Sequence, residues 1–318
     1  MLYNLIKEKT RPLRRWFRAQ KREFIKWYYP KKLADILFQE SFGRNIDWNN
    51  PRDLNEKIQW LMFNSDISEW VRLADKYRVR EFVKERGCED ILIPLYGKWD
   101  RAEDIDWNSL PNSFVIKVNH GSGDTHIVID KSKADLIAIQ NYMREALSKP
   151  YGIESAEIHY RKIKPCIIAE QLLSSSSITL TDNGLSNKAM LSDYKIWCFH
   201  GVPYCIFTCT NRNLHTHEVV FNVYDLKWNR HDEWISEPYR NNIFVEMPHC
   251  LNEMIEYARK LSNGFPQVRV DFYECNNKIY FGEMTFTSAC GRMDYFTQEF
   301  LKEMGDKIML PTEKEIRK

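Results

Sequence analysis

The 318-residue sequence has no excess of either charge, with 46 Lys and Arg against 44 Asp and Glu, so overall charge does not mark a nucleic-acid binder. It has only 12 Gly and 12 Pro, which excludes collagenous and low-complexity classes. Its eight cysteines form no CxxC pair and mostly sit in apolar runs such as Pro165-Cys166-Ile-Ile, so they read as reduced core residues. The first thirty residues lack the apolar segment of a signal peptide, and no window approaches the roughly 20 apolar residues needed to span a bilayer. These absences predict a cytoplasmic, reducing location and no nucleic-acid partner.

Catalytic signatures are also missing. There is no GxSxG elbow, Walker A loop, Rossmann fingerprint or HExxH motif, and the histidines show no zinc-like spacing. His215-Thr-His217 reads as an exposed loop pair. No internal repeat stands out.

What the chain does have is aromatic residues, 10 Trp, 16 Tyr and 17 Phe, and an uneven distribution of charge. Residues 1–32 carry a net +9 and the remainder −7. Leu2, Ile6, Leu13, Trp16, Phe17, Phe24, Trp27 and Tyr28 recur at near-helical spacing among those basic residues. That pattern predicts a basic amphipathic arm, either packed on the protein body or lying on a surface such as an anionic membrane, an acidic glycan or a glycan-assembly partner.

Residues 33–100 read as mainly helical, with one helix expected over Leu73 to Gly87 and a loop after Ile91-Leu-Ile-Pro-Leu-Tyr96. At Ser113-Phe-Val-Ile-Lys-Val118 the period becomes that of a strand, and a glycine-rich tip leads to His126-Ile-Val-Ile129. A helix over 132–147 and a buried strand at Cys166 to Leu173 follow, then a polar stretch over 173–192 that reads as a mobile loop. Strands at 193–199 and 204–210, a helix at 251–262, a hairpin at 267–285 and a helix at 296–303 complete an α+β pattern with mostly antiparallel sheets. The units expected are 1–32, 33–100, 101–172, 173–192 and 193–318.

Three constellations can carry chemistry. Strand alternation puts Arg269 and Asp271 on one face, and Glu283 and Thr285 on one face of the next strand. Paired in register, they would offer two carboxylates and a hydroxyl to a hard cation such as Mg²⁺, beside an Arg able to fork phosphate oxygens. The alternative is a salt-bridge cluster on an exposed face. Lys117 with His120-Gly121-Ser122-Gly123 could bring a positive charge and close backbone amides to a phosphate, or be a plain turn. Glu170 closes an apolar strand, where its carboxylate and the following backbone at Gln171 and Leu172 could meet an adenine or ribose. Lys195 could reach phosphate from the next strand, or snorkel to solvent.

The order of these signals, Lys, glycine-rich hairpin, strand-terminal Glu, Lys, Arg-x-Asp and Glu-x-Thr, resembles the ATP-grasp fold. There, two α+β subdomains sandwich ATP between mostly antiparallel sheets, here preceded by a helical N-terminal region. More closely, the chain resembles the TupA-like branch, which is associated with polysaccharide biosynthesis and often labelled glycosyltransferase. The residues that carry this are Asn55-Glu-Lys-Ile-Gln-Trp60, Ala74-Asp-Lys-Tyr-Arg-Val-Arg80, Phe114 to Gly123, Asp193-Tyr-Lys195, Arg269-Val-Asp-Phe-Tyr273 and Phe281-Gly-Glu-Met-Thr-Phe286, within about 33–305.

The resemblance implies that Lys117 and the 120–123 turn hold ATP phosphates and that Glu170, Gln171 and Leu172 meet the adenine end. Lys195 and Arg269 would neutralise phosphate and act in catalysis. Arg80 would stand where related ligases place a basic nucleotide-binding residue. Asp271 and Glu283 would ligate Mg²⁺. Thr285 occupies the place of the family's usual Asn, and a hydroxyl there implies contact through water. Arg212 and Arg292 are candidate carboxylate or sugar binders. The reaction implied is ATP- and Mg²⁺-dependent amide formation through an acyl phosphate, joining an amine to a uronic acid of a capsular or cell-surface glycan. The alternatives are a glycosyltransferase, which would be expected to carry a DxD-like metal site, and a non-catalytic nucleotide-binding scaffold.

Overall fold

The computed structural model describes residues 11–173, 180–181, 184–185, 192–210 and 220–312, with side chains from residue 20 onward except at 180–185. Helices α1 (Arg11–Tyr28), α2 (Pro30–Phe42), α3 (Leu54–Asn64), α4 (Ser68–Ala74) and α5 (Val79–Glu85) come first. Strands β1 (Leu95–Trp99), β2 (Phe114–Val118) and β3 (Thr125–Val128), helix α6 (Leu136–Ser148) and strand β4 (Ile167–Glu170) follow. After the short pair β5 (Leu180–Thr181) and β6 (Gly184–Leu185) come β7 (Asp193–Phe199), β8 (Val202–Thr210), β9 (Val220–Asp225), α7 (Leu251–Ser262), β10 (Gln267–Cys275), β11 (Lys278–Thr285) and α8 (Gln298–Asp306).

Two larger antiparallel sheets result. One has the order β1-β4-β2-β3 and the other β11-β10-β7-β8-β9. In β2, Phe114, Ile116 and Val118 turn inward and pack with Ile139, Met143 and Ala146 of α6. The alternation leaves Val115 and Lys117 on the opposite face. Strand β7 is buried along its whole length, as expected for a central strand covered on both faces. Cys198 reaches the carbonyl of Ala258 in α7, so the other β7 face, with Asp193 and Lys195, is turned toward the first sheet.

Close packing ties the helices to the second sheet. Asp53 caps α3 by accepting from the Glu56 amide at 2.9 Å. Gly305 of α8 lies so near that cap that a Cβ would come within 2.7 Å of the Asp53 backbone, so glycine is required there. Ile25, Leu33, Ala34 and Phe38 join α1 and α2 in a small separate core.

The expected helix over 73–87 is instead two. The Asp75 carboxylate accepts from the amides of Tyr77 and Arg78, at 2.8 and 3.2 Å, and this side-chain turn interrupts the ladder. The expected loop after Tyr96 is partly strand: β1 pairs with β4 through an irregularity at Leu95/Gly97, which obscures its alternation. Thr297 caps α8, so that helix runs from Gln298 rather than Phe296. Asp135 caps α6, and a short 3₁₀ turn occupies 131–133. Strand β9 had no counterpart in the sequence reading. All eight cysteines are free thiols. Among the described residues, no helix is long and apolar enough to cross a membrane.

Candidate functional site

The two sheets face each other across a cleft of about 530 Å³. From the four-stranded sheet come Lys117, Ser122, Gly123, Glu170, Gln171 and Leu172, and from the five-stranded sheet Lys195, Arg269, Asp271 and Glu283. All ten were singled out in the sequence, at positions up to 166 residues apart, and they line one cavity.

Hairpin register explains the deepest part. Asp271 pairs directly with Glu283 and, on its other side, with Lys195, while Arg269 pairs with Thr285. Directly opposed residues share a sheet face, so these five groups meet in one small patch. Gly282 is the extra residue of a bulge between Asp271 and Phe272; a Cβ there would lie 3.0 Å from the Asp271 carbonyl oxygen. This patch is not the exposed salt-bridge face of the alternative reading: Asp271 is 1% exposed and Arg269 8%.

Its hydrogen bonds are dense. Arg269 forks Asp271, with Nε to Oδ1 and Nη2 to Oδ2 both at 2.7 Å, and its Nη1 donates to Ser288 Oγ at 2.9 Å. Lys195 Nζ donates to Asp271 Oδ2 at 2.6 Å and also to Asp193. Thr285 donates to Glu283 Oε1 at 2.9 Å and accepts from Arg269 Nη2 at 3.1 Å. Its hydroxyl therefore orients Glu283, and sits beside the carboxylate pair rather than projecting past it.

Burial pushes the Asp271 carboxyl up, while Arg269 and Lys195 oppose that shift. Burial also acts on Glu283, but Lys76, Lys195 and Arg269 outweigh it and hold this carboxyl at about 2. Its charge is thus present at any ordinary pH and is lost only as pH falls through that value. Its side chain is 40% exposed, opening to the cleft.

On the opposite wall, Lys117 pairs with Glu170 at 2.5 Å, and Arg80 pairs with the same carboxylate at 3.0 Å. Arg80 also donates to the Ile93 carbonyl at 2.8 Å, supporting Glu170 from behind, and it does not line the cleft. The basic residue that this segment sends into the cleft is Lys76, which sequence reasoning passed over. Lys76 Nζ donates to the Gly121 carbonyl, tying the glycine-rich tip to the turn after α4. Burial lowers its pKa, and Glu283 works against that shift. The available signal was Asp75: an Asp beside a Lys inside an apparent helix can break it and turn the Lys aside.

Other predicted residues lie elsewhere. His120 is buried, with Nε2 3.2 Å from the Lys149 carbonyl oxygen, and neither it nor Gly121 lines the cleft. Gln171 does line the cleft, with its backbone N–H donating to the Pro94 carbonyl at 2.9 Å. Arg292 donates to the Ser155 carbonyl at 3.3 Å, away from the cavity. Arg212, His215 and His217 lie outside the described residues, as does most of 173–192. Asp193 and an aromatic wall of Phe207, Phe221 and Tyr295 were also missed. Phe207 stacks on Tyr295 at 5.0 Å and on Phe221 at 5.1 Å. Asp193 could have been found as the same-face neighbour of Lys195.

Four cations (Lys76, Lys117, Lys195, Arg269) and four carboxylates (Glu170, Asp193, Asp271, Glu283) line the cavity. No cluster of three metal-ligating side chains occurs among the described residues. Of the two opposed carboxylates Glu283 opens to the cleft, while both Asp271 oxygens accept from Arg269 and Lys195. Two carboxylates suit Mg²⁺, a hard cation that completes its shell with phosphate oxygens and water, once Asp271 yields one of those contacts.

This pairing of antiparallel sheets around a charged cleft is the ATP-grasp fold. The family model described as TupA-like ATPgrasp matches residues 56–309, and the chain belongs to that family. Among solved structures, an L-amino acid ligase from Bacillus licheniformis is similar with a TM-score of 0.46 and 11% identity, covering 82% of this chain and 56% of that one. A D-alanine-D-alanine ligase from Helicobacter pylori gives a TM-score of 0.41 and 15% identity over 81% of this chain and 70% of that one. The Bacillus anthracis D-alanine-D-alanine ligase complexed with ATP gives 0.38 and 14%, over 68% of this chain and 55% of that one, so the chain spans little more than half its length. A gamma-glutamyl phosphate reductase from Petrotoga mobilis is 27% identical over 105 residues, 33% of this chain and 24% of that protein. These likenesses are loose, and the family match alone carries the assignment.

Proposed function

We propose that the protein is an ATP- and Mg²⁺-dependent carboxylate–amine ligase. The observation that carries this reading is the opposition of Asp271 and Glu283 beside Lys195 and Arg269, across one cleft from Lys117 and the Ser122-Gly123 tip.

Charge balance supports a bound metal. The lining cations are already matched by carboxylates, so a nucleoside triphosphate would bring uncompensated negative charge into a buried site. Asp271 and Glu283 would hold Mg²⁺, which when bound would neutralise the phosphate charge and polarise the transferring group. Lys76 and Lys117 suit the phosphate chain, and Glu170 to Leu172 the base. Lys117 would have to exchange its Glu170 partner for phosphate. Lys195 and Arg269 keep positive charge beside the reacting centre.

In the proposed reaction, a substrate carboxylate attacks the terminal phosphorus of ATP and ADP departs. An amine then attacks the acyl phosphate carbonyl, phosphate leaves, and the nitrogen gives up a proton as the amide forms. No side-chain nucleophile is required. The acceptor we favour is a uronic acid of a capsular or cell-surface polysaccharide, joined to an amino acid or another amine. This choice rests on the resemblance to the polysaccharide-associated branch.

The glycosyltransferase reading has less support. The sequence holds one Asp-x-Asp triplet, Asp104-Ile-Asp106, but it lies off the cleft, and Asp106 accepts from the amides of Asn108 and Ser109. Incubation with ATP, Mg²⁺, uronic acids and amino acids is expected to release ADP and an amide. Turnover of a nucleotide sugar without ADP would favour the transferase, and nucleotide binding without turnover over a broad panel would favour a scaffold.

A further inference from the structure

Outside the lining of the cleft, the end of α1 displays four aromatic residues on the surface. Phe24, Trp27, Tyr28 and Tyr29 are 53%, 48%, 69% and 53% exposed. Phe24 lies against Tyr28 and Tyr29, with ring centroids at 4.8 and 5.7 Å, so the patch is contiguous. Between them Ile25 turns inward onto Leu33 and Phe38 of α2. One side of the helix is therefore docked and the other shows its rings, an arrangement that marks an interaction face.

The stretch of α1 that leads to the rings carries charge of one sign. Residues 11–22 contain six Lys and Arg and no acid. Arg22 is matched by Glu40, and Lys26 by Glu23 and Glu154, so the acids near the base of the helix are already engaged. Trp27 is fixed by Arg161, which donates to its carbonyl at 3.1 Å and lies over its ring. The helix is joined to the body through this contact and the Lys26–Glu154 pair, leaving Phe24, Tyr28 and Tyr29 exposed.

We infer that α1 is a docking surface for an anionic lipid bilayer, lying on it rather than crossing it. Tyr and Trp rings settle at the headgroup level, where an apolar body and a polar tip are both accommodated. Lys and Arg add electrostatic attraction to anionic headgroups, each contributing about fivefold in partitioning. Charge complementarity favours this occupant over a second copy of the chain, whose identical face is equally basic. The inference is independent of the reading of the cleft.

Vesicle flotation of the full chain tests it, using phosphatidylcholine vesicles with and without phosphatidylglycerol. The chain is expected to float only with the anionic vesicles and to be released by salt. Arg18→Glu with Lys21→Glu should weaken partitioning by roughly tenfold or more. Phe24→Ser with Tyr28→Ser should weaken it by roughly tenfold at unchanged charge. Thermal melts and nucleotide binding check that both variants fold. Failure of the wild type to float with anionic vesicles would overturn the inference, as would equal flotation with neutral vesicles or undiminished flotation of the ring variant. Self-association in sedimentation velocity, abolished by the ring substitutions and without flotation, would give the face to a second copy instead.

Discussion

The two walls of the cleft are built differently. On the five-stranded sheet, Asp193, Lys195, Arg269, Asp271, Glu283, Thr285 and Ser288 are linked across β7, β10 and β11. Lys195 and Arg269 are only 6% and 8% exposed. On the four-stranded sheet, one carboxylate, Glu170, serves two cations, and the side chains of Lys117 and Arg80 are 19% and 15% exposed. Strand β3 beyond them is mostly solvent-facing. The first wall has its geometry fixed before any ligand arrives, as a reacting centre requires. On the second, Lys117 pairs with Glu170 and would exchange that partner for phosphate in the proposed site, while the glycine-rich tip is tied by Lys76 at Gly121 and by Lys149 and Tyr142 at Asp124.

This contrast can be broken by removing one charge from each wall. Asp271→Asn removes the carboxylate that two buried cations share, leaving Lys195 to Asp193 and Arg269 to Glu283, and an expected loss of about 3–5 kcal/mol in unfolding free energy should accompany loss of ADP release. Chemical denaturation and an ADP assay check both. Glu170→Gln releases two cations that are 15% and 19% exposed, one of which keeps the Ile93 carbonyl, and should cost less, about 1–3 kcal/mol by the same denaturation measurement. Equal losses at the two positions would erase the distinction drawn here.

A smaller effect concerns the lysine that joins the walls. Burial lowers the Lys76 pKa, so its charge is present at lower pH and is lost as pH rises, before that of an ordinary lysine. Nucleotide affinity measured against pH should therefore fall on the alkaline side. Lys76→Arg, which keeps its charge, should move that fall upward by roughly a unit or more. An unchanged profile would remove Lys76 from the phosphate site.

Legibility in the sequence did not follow this division, since each wall was read in part. The β10–β11 register could be read because alternation over Arg269-Val-Asp271 and Glu283-Met-Thr285 has one sensible pairing, and Asp271 does oppose Glu283. The Lys117 hairpin was legible through its period and its glycines, with Lys117 pairing Thr125. Lys76 was not, because its place in the cleft depends on a turn made by the Asp75 side chain within a stretch of helical spacing. Neither was the role of Arg80 behind Glu170, which depends on how α5 packs against β4, a contact between residues 90 apart in sequence. The aromatic wall stayed hidden because Phe207, Phe221 and Tyr295 read locally as ordinary core.

Calorimetric titration of an ATP analogue with and without Mg²⁺ examines the carboxylate pair most directly, in the wild type and in Glu283→Gln. Mg²⁺ should strengthen binding to the wild type, and the substitution should remove most of that gain, with turnover falling by about a hundredfold or more. A chain that binds no nucleotide, or a variant that keeps the full Mg²⁺ enhancement, would contradict the account.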